Sequence, residues 1–270
     1  MNSFFFKDVY AVKVNKIRPS DQDNQLTFIV LPAIGVPIKK YERLIMGLKN
    51  TGYSVIYADY PCCGENIPQI SKDHDYDYAD LLQYFIPNLI ESCDTQNFVL
   101  LGHSLGGHLA SLYALKNNTP IVVIASGNIH YKNWNLTGRA KILSAVLLFK
   151  ALTKAYGFFP GYKIGFGYRE AKSLMNNWCH TVLTGNYSFS GIEFKKNAIK
   201  GLFISIKDDR FSPLKSTKKL ADMFHHHVLE QIELPSHLKG NRHSIWLKNP
   251  DQIIKLIDRG GLCCTNLSVK

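Results

Sequence analysis

Residues 98–107 read Phe98-Val99-Leu100-Leu101-Gly102-His103-Ser104-Leu105-Gly106-Gly107. A short apolar run meets a serine with a glycine two positions before it and another two after. This is the G-x-S-x-G spacing of a nucleophile elbow, a sharp strand-to-helix turn that presents a serine hydroxyl. Gly102 and Gly106 carry no Cβ, so each can sit where a side chain would clash, and Gly107 lets the helix start press on its neighbours. Residues 97–101 read as a strand buried on both faces. The segment after the serine puts Leu109, Leu112, Tyr113 and Leu115 near one helical stripe. The Leu105 N–H, at the helix start, would point at an oxyanion forming beside Ser104.

Outward from the elbow, strand and helix signals alternate. Residues 8–16, 26–31, 53–58, 120–125, 201–206 and 228–234 read as strands. Residues 39–50 (ended by Thr51-Gly52), 78–91, 213–224 and 248–258 read as helices. The alternation predicts one α/β domain over residues 1–270, with a mainly parallel sheet covered on both faces. Residues 130–195 break the rhythm, because they separate two strands by far more than a normal crossover. They hold a helical pattern at Ile142, Val146, Phe149 and Leu152, then the aromatics Tyr156, Phe158, Phe159, Tyr162, Phe166 and Tyr168. A helical lid insertion over the site, offering an apolar pocket wall, is the expectation.

A serine needs a general base, usually a histidine oriented by a carboxylate. On a strand-elbow-helix scaffold the partners follow in the order serine, acid, histidine. The acid belongs on the loop after strand 201–206, where Asp209 is preferred and Asp208 is the rival. The histidine belongs after the last strand, where His243, beside the apolar stretch ending at Trp246, is preferred over His237. The second oxyanion donor belongs on the loop Pro32-Ala33-Ile34-Gly35-Val36-Pro37, with the Ile34 N–H first and Ala33 second. Loss of one such donor typically lowers turnover about 10²–10³-fold.

Composition narrows the class. The chain has 270 residues, 46% of them hydrophobic, and a formal charge of +11. Its lysines are dispersed, as at Lys39-Lys40, Lys195-Lys196 and Lys218-Lys219, which reads as a solvated surface and not a nucleic-acid site. The N-terminal residues lack the pattern of a signal peptide. The longest apolar helical stretch, residues 140–152, carries Lys141 and Lys150 and cannot span a bilayer. Of six cysteines, four stand as the pairs Cys62-Cys63 and Cys263-Cys264; free thiols in a reducing cytoplasm are expected. Lipidation of Cys263 or Cys264 has weak support, and the C-terminus does not fit a prenylation box.

Several stretches on these elements resemble the α/β-hydrolase superfamily, and more narrowly bacterial α/β-hydrolase proteins related to serine aminopeptidases and esterases. They are Leu31 to Pro37, Gly102 to Gly107, Phe159 to Gly167 with Trp178 after it, Asp208-Asp209, and His243 before an aromatic. The resemblance implies an α/β-hydrolase fold, the triad Ser104, Asp209 and His243, an oxyanion hole near Ile34 and Leu105, no metal and no organic cofactor. It departs at residues 59–64, where Pro61 and Cys62 replace the usual arginine and glycine after the tyrosine.

Other clusters read more plainly. His225-His226-His227 is a solvated run, since consecutive side chains point apart. Cys179-His180 lacks a second ligand pair. Residues 73–77 form a helix-entry loop rich in N-cap residues. His108, one turn past Ser104, would point along the helix and not at Oγ. No phosphate loop is present, because no lysine follows Gly107. Together these readings predict a serine hydrolase of carboxylic esters or thioesters with an apolar acyl group. Its partner would be a small-molecule acyl substrate, without nucleic acid or stable membrane insertion; the basic surface would also suit an anionic partner such as an acyl carrier. A serine peptidase, a non-catalytic binding protein on the same fold and a homodimer stay open.

Overall fold

The computed structural model describes residues 2–20, 23–192 and 200–259. Lys195-Lys196 and Cys263-Cys264 lie outside them. Eight strands form one sheet: β1 (Asn2–Phe6), β2 (Tyr10–Ile17), β3 (Thr27–Leu31), β4 (Ser54–Tyr57), β5 (Phe98–His103), β6 (Ile121–Ile124), β7 (Lys200–Ile206) and β8 (His226–Ile232). Their spatial order is β1-β2-β4-β3-β5-β6-β7-β8. The β1/β2 and β2/β4 pairs are antiparallel and every other pair is parallel. Alternation along the central strands feeds two cores. Ile29, Leu31 and Leu100 point to one face, Phe28, Val30, Val99 and Leu101 to the other.

Helices α1 (Glu42–Asn50) and α7 (Asp251–Arg259) cover the second face through Leu44, Leu48, Ile253 and Ile257. On the first face lies α2, built of Tyr78–Asp80, a π turn over Leu81–Phe85 and Ile86–Glu91. The wide turn precedes Pro87, which has no N–H to donate to a carbonyl one turn earlier. Asp77 caps this helix reciprocally with Asp80. Helix α3 (Leu105–Asn117) also lies on the first face. It is not the striped helix the sequence suggests: all of its first eight residues are buried, so it is enclosed on nearly every side.

The largest departure from the sequence reading is β1. Phe4-Phe5-Phe6 has no polar alternation, and the hairpin turns at Lys7-Asp8, which take φ of 53° and 58° without the usual asparagine or glycine. Strand β8 begins two residues earlier than expected and takes in His226 and His227, because an edge strand buries too little for its pattern to mark its start.

Between β6 and β7 the chain makes α4 (Leu136–Tyr156), a bridge pairing Phe159 with Glu170, and α5 (Lys172–Thr184). Phe149, Phe159, Leu174 and Met175 from this segment join the sheet's first core. Its aromatics divide: Phe159 faces inward, whereas Tyr156, Tyr162 and Tyr168 are exposed. Residues 193–195, the end of the expected insertion, are outside the described residues. Helix α6 (Leu214–Ala221) follows β7.

Candidate active site

Ser104 stands between β5 and α3 with φ 54° and ψ −113°, a backbone conformation disfavoured for a side chain with a Cβ. Its glycine neighbours explain how the turn is tolerated. A Cβ on Gly102 would lie 2.2 Å from the Gly106 carbonyl oxygen, and one on Gly106 would lie 2.0 Å from that of Leu31. The Ser104 carbonyl accepts bonds from the Gly107 and His108 N–H groups and from Ser126 Oγ (2.7 Å), which pins the strained residue.

Two groups from distant loops meet Ser104. Its Oγ lies 2.8 Å from His243 Nε2, and His243 Nδ1 lies 2.7 Å from Asp209 Oδ2. Asp209 is 3% exposed, and its other oxygen accepts the Phe211 N–H at 2.8 Å and the Ser212 N–H at 3.2 Å. Held this way, the carboxylate accepts the Nδ1 proton of His243, leaving Nε2 to accept from the serine hydroxyl. The rivals lie elsewhere: Asp208 is exposed in the left-handed region (φ 63°), and His237 is exposed on a groove with Arg43, Met46 and Lys248.

The two proposed oxyanion donors also differ in surroundings from their alternative. The Ala33 N–H donates to Tyr41 Oη at 2.7 Å and is committed there. Ile34 follows it in the same loop. Leu105 is the first residue of α3, where an N–H has no helical carbonyl to meet. Three anchors hold the loop: the Pro32 carbonyl accepts the Gly106 N–H and the Tyr60 hydroxyl, and Asp59 Oδ1 accepts the Ile38 N–H. Residues 59–64, where the sequence departs from the resemblance, therefore brace this loop from behind.

Tyr41 and His103 were not singled out by sequence reasoning. Tyr41 Oη accepts from Ala33, so its own proton goes to His103 Nδ1 at 2.7 Å. His103 Nε2 then donates to the His243 carbonyl at 2.9 Å, which also accepts the Trp246 indole N–H at 3.0 Å. One buried chain thus runs from the Ala33–Ile34 loop to the backbone of His243. Burial, then the proximity of His243, holds the His103 imidazole well below its usual pKa, so it stays neutral in this role. The signal was present: an imidazole in the apolar run 98–103 must find partners when buried. His108 is similarly consumed, with Nε2 donating to the Gly127 carbonyl and Nδ1 facing the Tyr78 hydroxyl, and burial lowers its pKa to about 4.

Beside His243 an aromatic path leads into the insertion. Ring centroids are 5.4 Å apart for Phe211 and His243, 6.1 Å for Phe166 and Phe211, and 6.0 Å for Phe166 and Trp178. Gly167 approaches Gly35 so closely that a Cβ on Gly35 would lie 2.1 Å from the Gly167 Cα.

The fold is shared with several solved structures. A monoglyceride lipase from Saccharomyces cerevisiae superposes with a TM-score of 0.68 at 15% identity, covering 96% of this chain and 94% of that one. A monoacylglycerol lipase from Paleococcus ferrophilus gives 0.65 at 14% identity, with 93% and 98% covered. A structure from work on carboxylesterases of the thaumarchaeon Nitrososphaera gargenis gives 0.63 at 13%, with 94% and 96% covered. A comparison with curated protein sequences finds no match. The sequence profile described as "Alpha/beta hydrolase family" matches residues 37–256. That span takes in the elbow, the Asp209 loop and His243, and with it the chain belongs to the alpha/beta hydrolase family.

Proposed function

We propose that this protein is a serine hydrolase that cleaves carboxylic esters or thioesters with an apolar acyl group. The observation that carries the proposal is the relay of 2.8 Å and 2.7 Å contacts from Ser104 through His243 to Asp209. Ser104 Oγ attacks the acyl carbonyl while its proton passes to His243 Nε2. The tetrahedral oxyanion is received by the Ile34 and Leu105 N–H groups. The carbon–oxygen or carbon–sulfur bond to the leaving group then breaks, and that group takes the proton from His243. Water, deprotonated by the same imidazole, releases the acid from Ser104. Asp209 orients the imidazole and stabilises its charged form throughout.

The insertion between β6 and β7 serves as a lid in this reading. Its Phe166 and Trp178 line the acyl side, and Gly167 packs on the oxyanion loop, so lid position and oxyanion geometry are linked. An ester acyl chain is the best match to this aromatic wall. A cytoplasmic setting belongs to the same proposal and is supported by the free thiols Cys62, Cys63, Cys93 and Cys179.

A fluorophosphonate probe tests the nucleophile. Labelling of the native chain that disappears in Ser104→Ala is expected; native protein that resists several such probes would overturn the reading. A series of aryl esters and acyl thioesters of rising chain length then separates substrate classes, with longer acyl groups expected to react faster than acetyl.

A further inference from the structure

Helix α4 (Leu136–Tyr156) is apolar on two opposite sides. Val146, Phe149 and Thr153 are buried and face the core. On the far side Leu136 is 79% exposed, Leu147 73% and Leu148 46%. Leu136, Ala140, Leu147 and Ala151 fall on one stripe by their helical spacing, and that stripe points to solvent. Ordinary surface helices put charge there. Here Lys141 and Lys150 stand on either side of the stripe, and Lys154 ends it, two turns beyond Leu147.

Charge on the surrounding segment is equally one-sided. Residues 121–169 contain seven lysines and arginines and no aspartate or glutamate, against a net charge of +11 for the whole chain. The first acid beyond them, Glu170, is buried. An apolar stripe bounded by cations, on a stretch of chain without acids, is the composition of a helix that lies in a lipid–water interface. At about 1.5 Å per residue the helix is about 30 Å long, and among the described residues no helix is long and apolar enough to cross a membrane. The leucines stand out from a helix surface and are largely exposed, which suits a fluid planar surface better than a shaped protein partner.

We propose that the outer face of α4 docks the protein onto an anionic bilayer surface, with Leu136, Leu147 and Leu148 entering the headgroup boundary and Lys141, Lys150 and Lys154 meeting lipid phosphates. The lysine stems can lie along the apolar layer while their ammonium groups reach the phosphates. This docking is independent of whether Ser104 is a nucleophile.

The test is co-sedimentation of the full chain with vesicles of equimolar phosphatidylcholine and phosphatidylglycerol, against vesicles of phosphatidylcholine alone. Binding to the anionic vesicles only is expected. The double variant Leu147→Ser, Leu148→Ser should weaken the partition at least about tenfold, since buried apolar area drives such binding. Neutralising Lys141, Lys150 and Lys154 to glutamine should weaken it about fivefold per lysine. Both variants should keep the native circular dichroism spectrum, since all five positions are exposed. Native protein that stays in solution with both vesicle types would overturn the proposal, as would variants that bind like the native chain. So would a dimer in size-exclusion chromatography that the leucine variant dissociates, or an acyl carrier protein that binds through α4 while vesicles do not.

Discussion

Replacing Tyr41 by phenylalanine removes one oxygen and nothing else, yet that oxygen joins the two loops on which the proposed chemistry depends. Tyr41 is 0% exposed, and its hydroxyl accepts from Ala33 and donates to His103, each at 2.7 Å. The substitution leaves a buried N–H and a buried imidazole nitrogen without a partner. Each such group costs about 1–3 kcal/mol when it stays dry. Together they should lower unfolding free energy by about 2–6 kcal/mol, the smaller figure applying if a water enters the space. The ring itself keeps its packing, including its edge contact with His103 at 5.8 Å between centroids, so lost burial adds little. The Ala33–Ile34 loop loses its tether at the same time. A whole oxyanion donor is worth about 10²–10³ in turnover, so a displaced one should lower kcat about tenfold and leave KM nearly unchanged. Urea titration gives the stability change at constant m, and an aryl ester gives the two kinetic constants. A midpoint shift worth less than about 0.5 kcal/mol, the size of an ordinary surface substitution, would refute the argument. A cycle with His103→Asn sharpens it: the pair should couple by about 1 kcal/mol or more, and additive effects would show that the two side chains act apart.

Asp209→Asn should preserve the fold and lower kcat by about 10⁴, because the amide cannot hold the imidazole in the same proton arrangement; steady-state kinetics on an aryl ester measures it. Gly106→Ala places a Cβ 2.0 Å from the Leu31 carbonyl oxygen, a backbone atom with nowhere to yield, and should cost about 2–4 kcal/mol by thermal or urea unfolding together with most of the activity. Phe166→Ala opens the aromatic wall between Phe211 and Trp178 and should lower kcat/KM for long acyl chains about tenfold while sparing acetyl esters, read from a chain-length series.

How much of this was legible in the sequence follows from the range over which each signal acts. Gly102, Ser104 and Gly106 are neighbours in the chain, so a local turn carried the elbow and with it the alternating fold. Asp209 and His243 were found through their order after Ser104 and their place on loops after strands. The sequence prefers them to Asp208 and His237, and the fold adds the reason: Asp209 turns inward to within 2.7 Å of His243 Nδ1, whereas Asp208 is exposed and His237 faces the groove beside Arg43. The Tyr41–His103 tie joins residues 62 positions apart; an imidazole in the apolar run 98–103 signals that a partner is needed, but nothing local points to Tyr41. Strand β1 escaped notice for a different reason: its phenylalanines show no period of two. The enclosed helix α3 was misread as striped because small residues such as Gly106, Gly107, Ala110 and Ala114 pack as tightly as leucines and carry little hydrophobic signal.

Glu170 and the buried histidines set opposing pH dependences, and one substitution separates them. Glu170 lies among Tyr60, Cys63 and Tyr76 and makes no ion pair among the described residues; the neighbouring Arg169 guanidinium stacks on Phe158 and Tyr162. Burial raises its pKa from 4.5 to about 7, against the Tyr168 N–H that its carboxylate accepts at 2.7 Å. Below about pH 4.5 both folded and unfolded chains hold the proton and nothing is lost. Between about 4.5 and 7 the unfolded chain has released a proton that the folded chain keeps, so stability falls as pH rises, by about 1.4 kcal/mol per pH unit. His108 acts in the other sense: from 6.5 down to about 4 the unfolded chain takes up a proton that the folded chain refuses, so stability falls as pH falls. His103, lowered by the same burial, acts with it. Glu170→Gln keeps the acceptor for Tyr168 and deletes only the first of these slopes. The variant should match the native chain near pH 4.5, then gain on it steadily to about 2–4 kcal/mol at pH 7 and hold that lead above. Urea unfolding at a series of pH values reads the difference directly. A constant difference between pH 5 and pH 8 would mean that the buried carboxyl is already ionised at the acid end, and that its place beside Gly167 carries no proton.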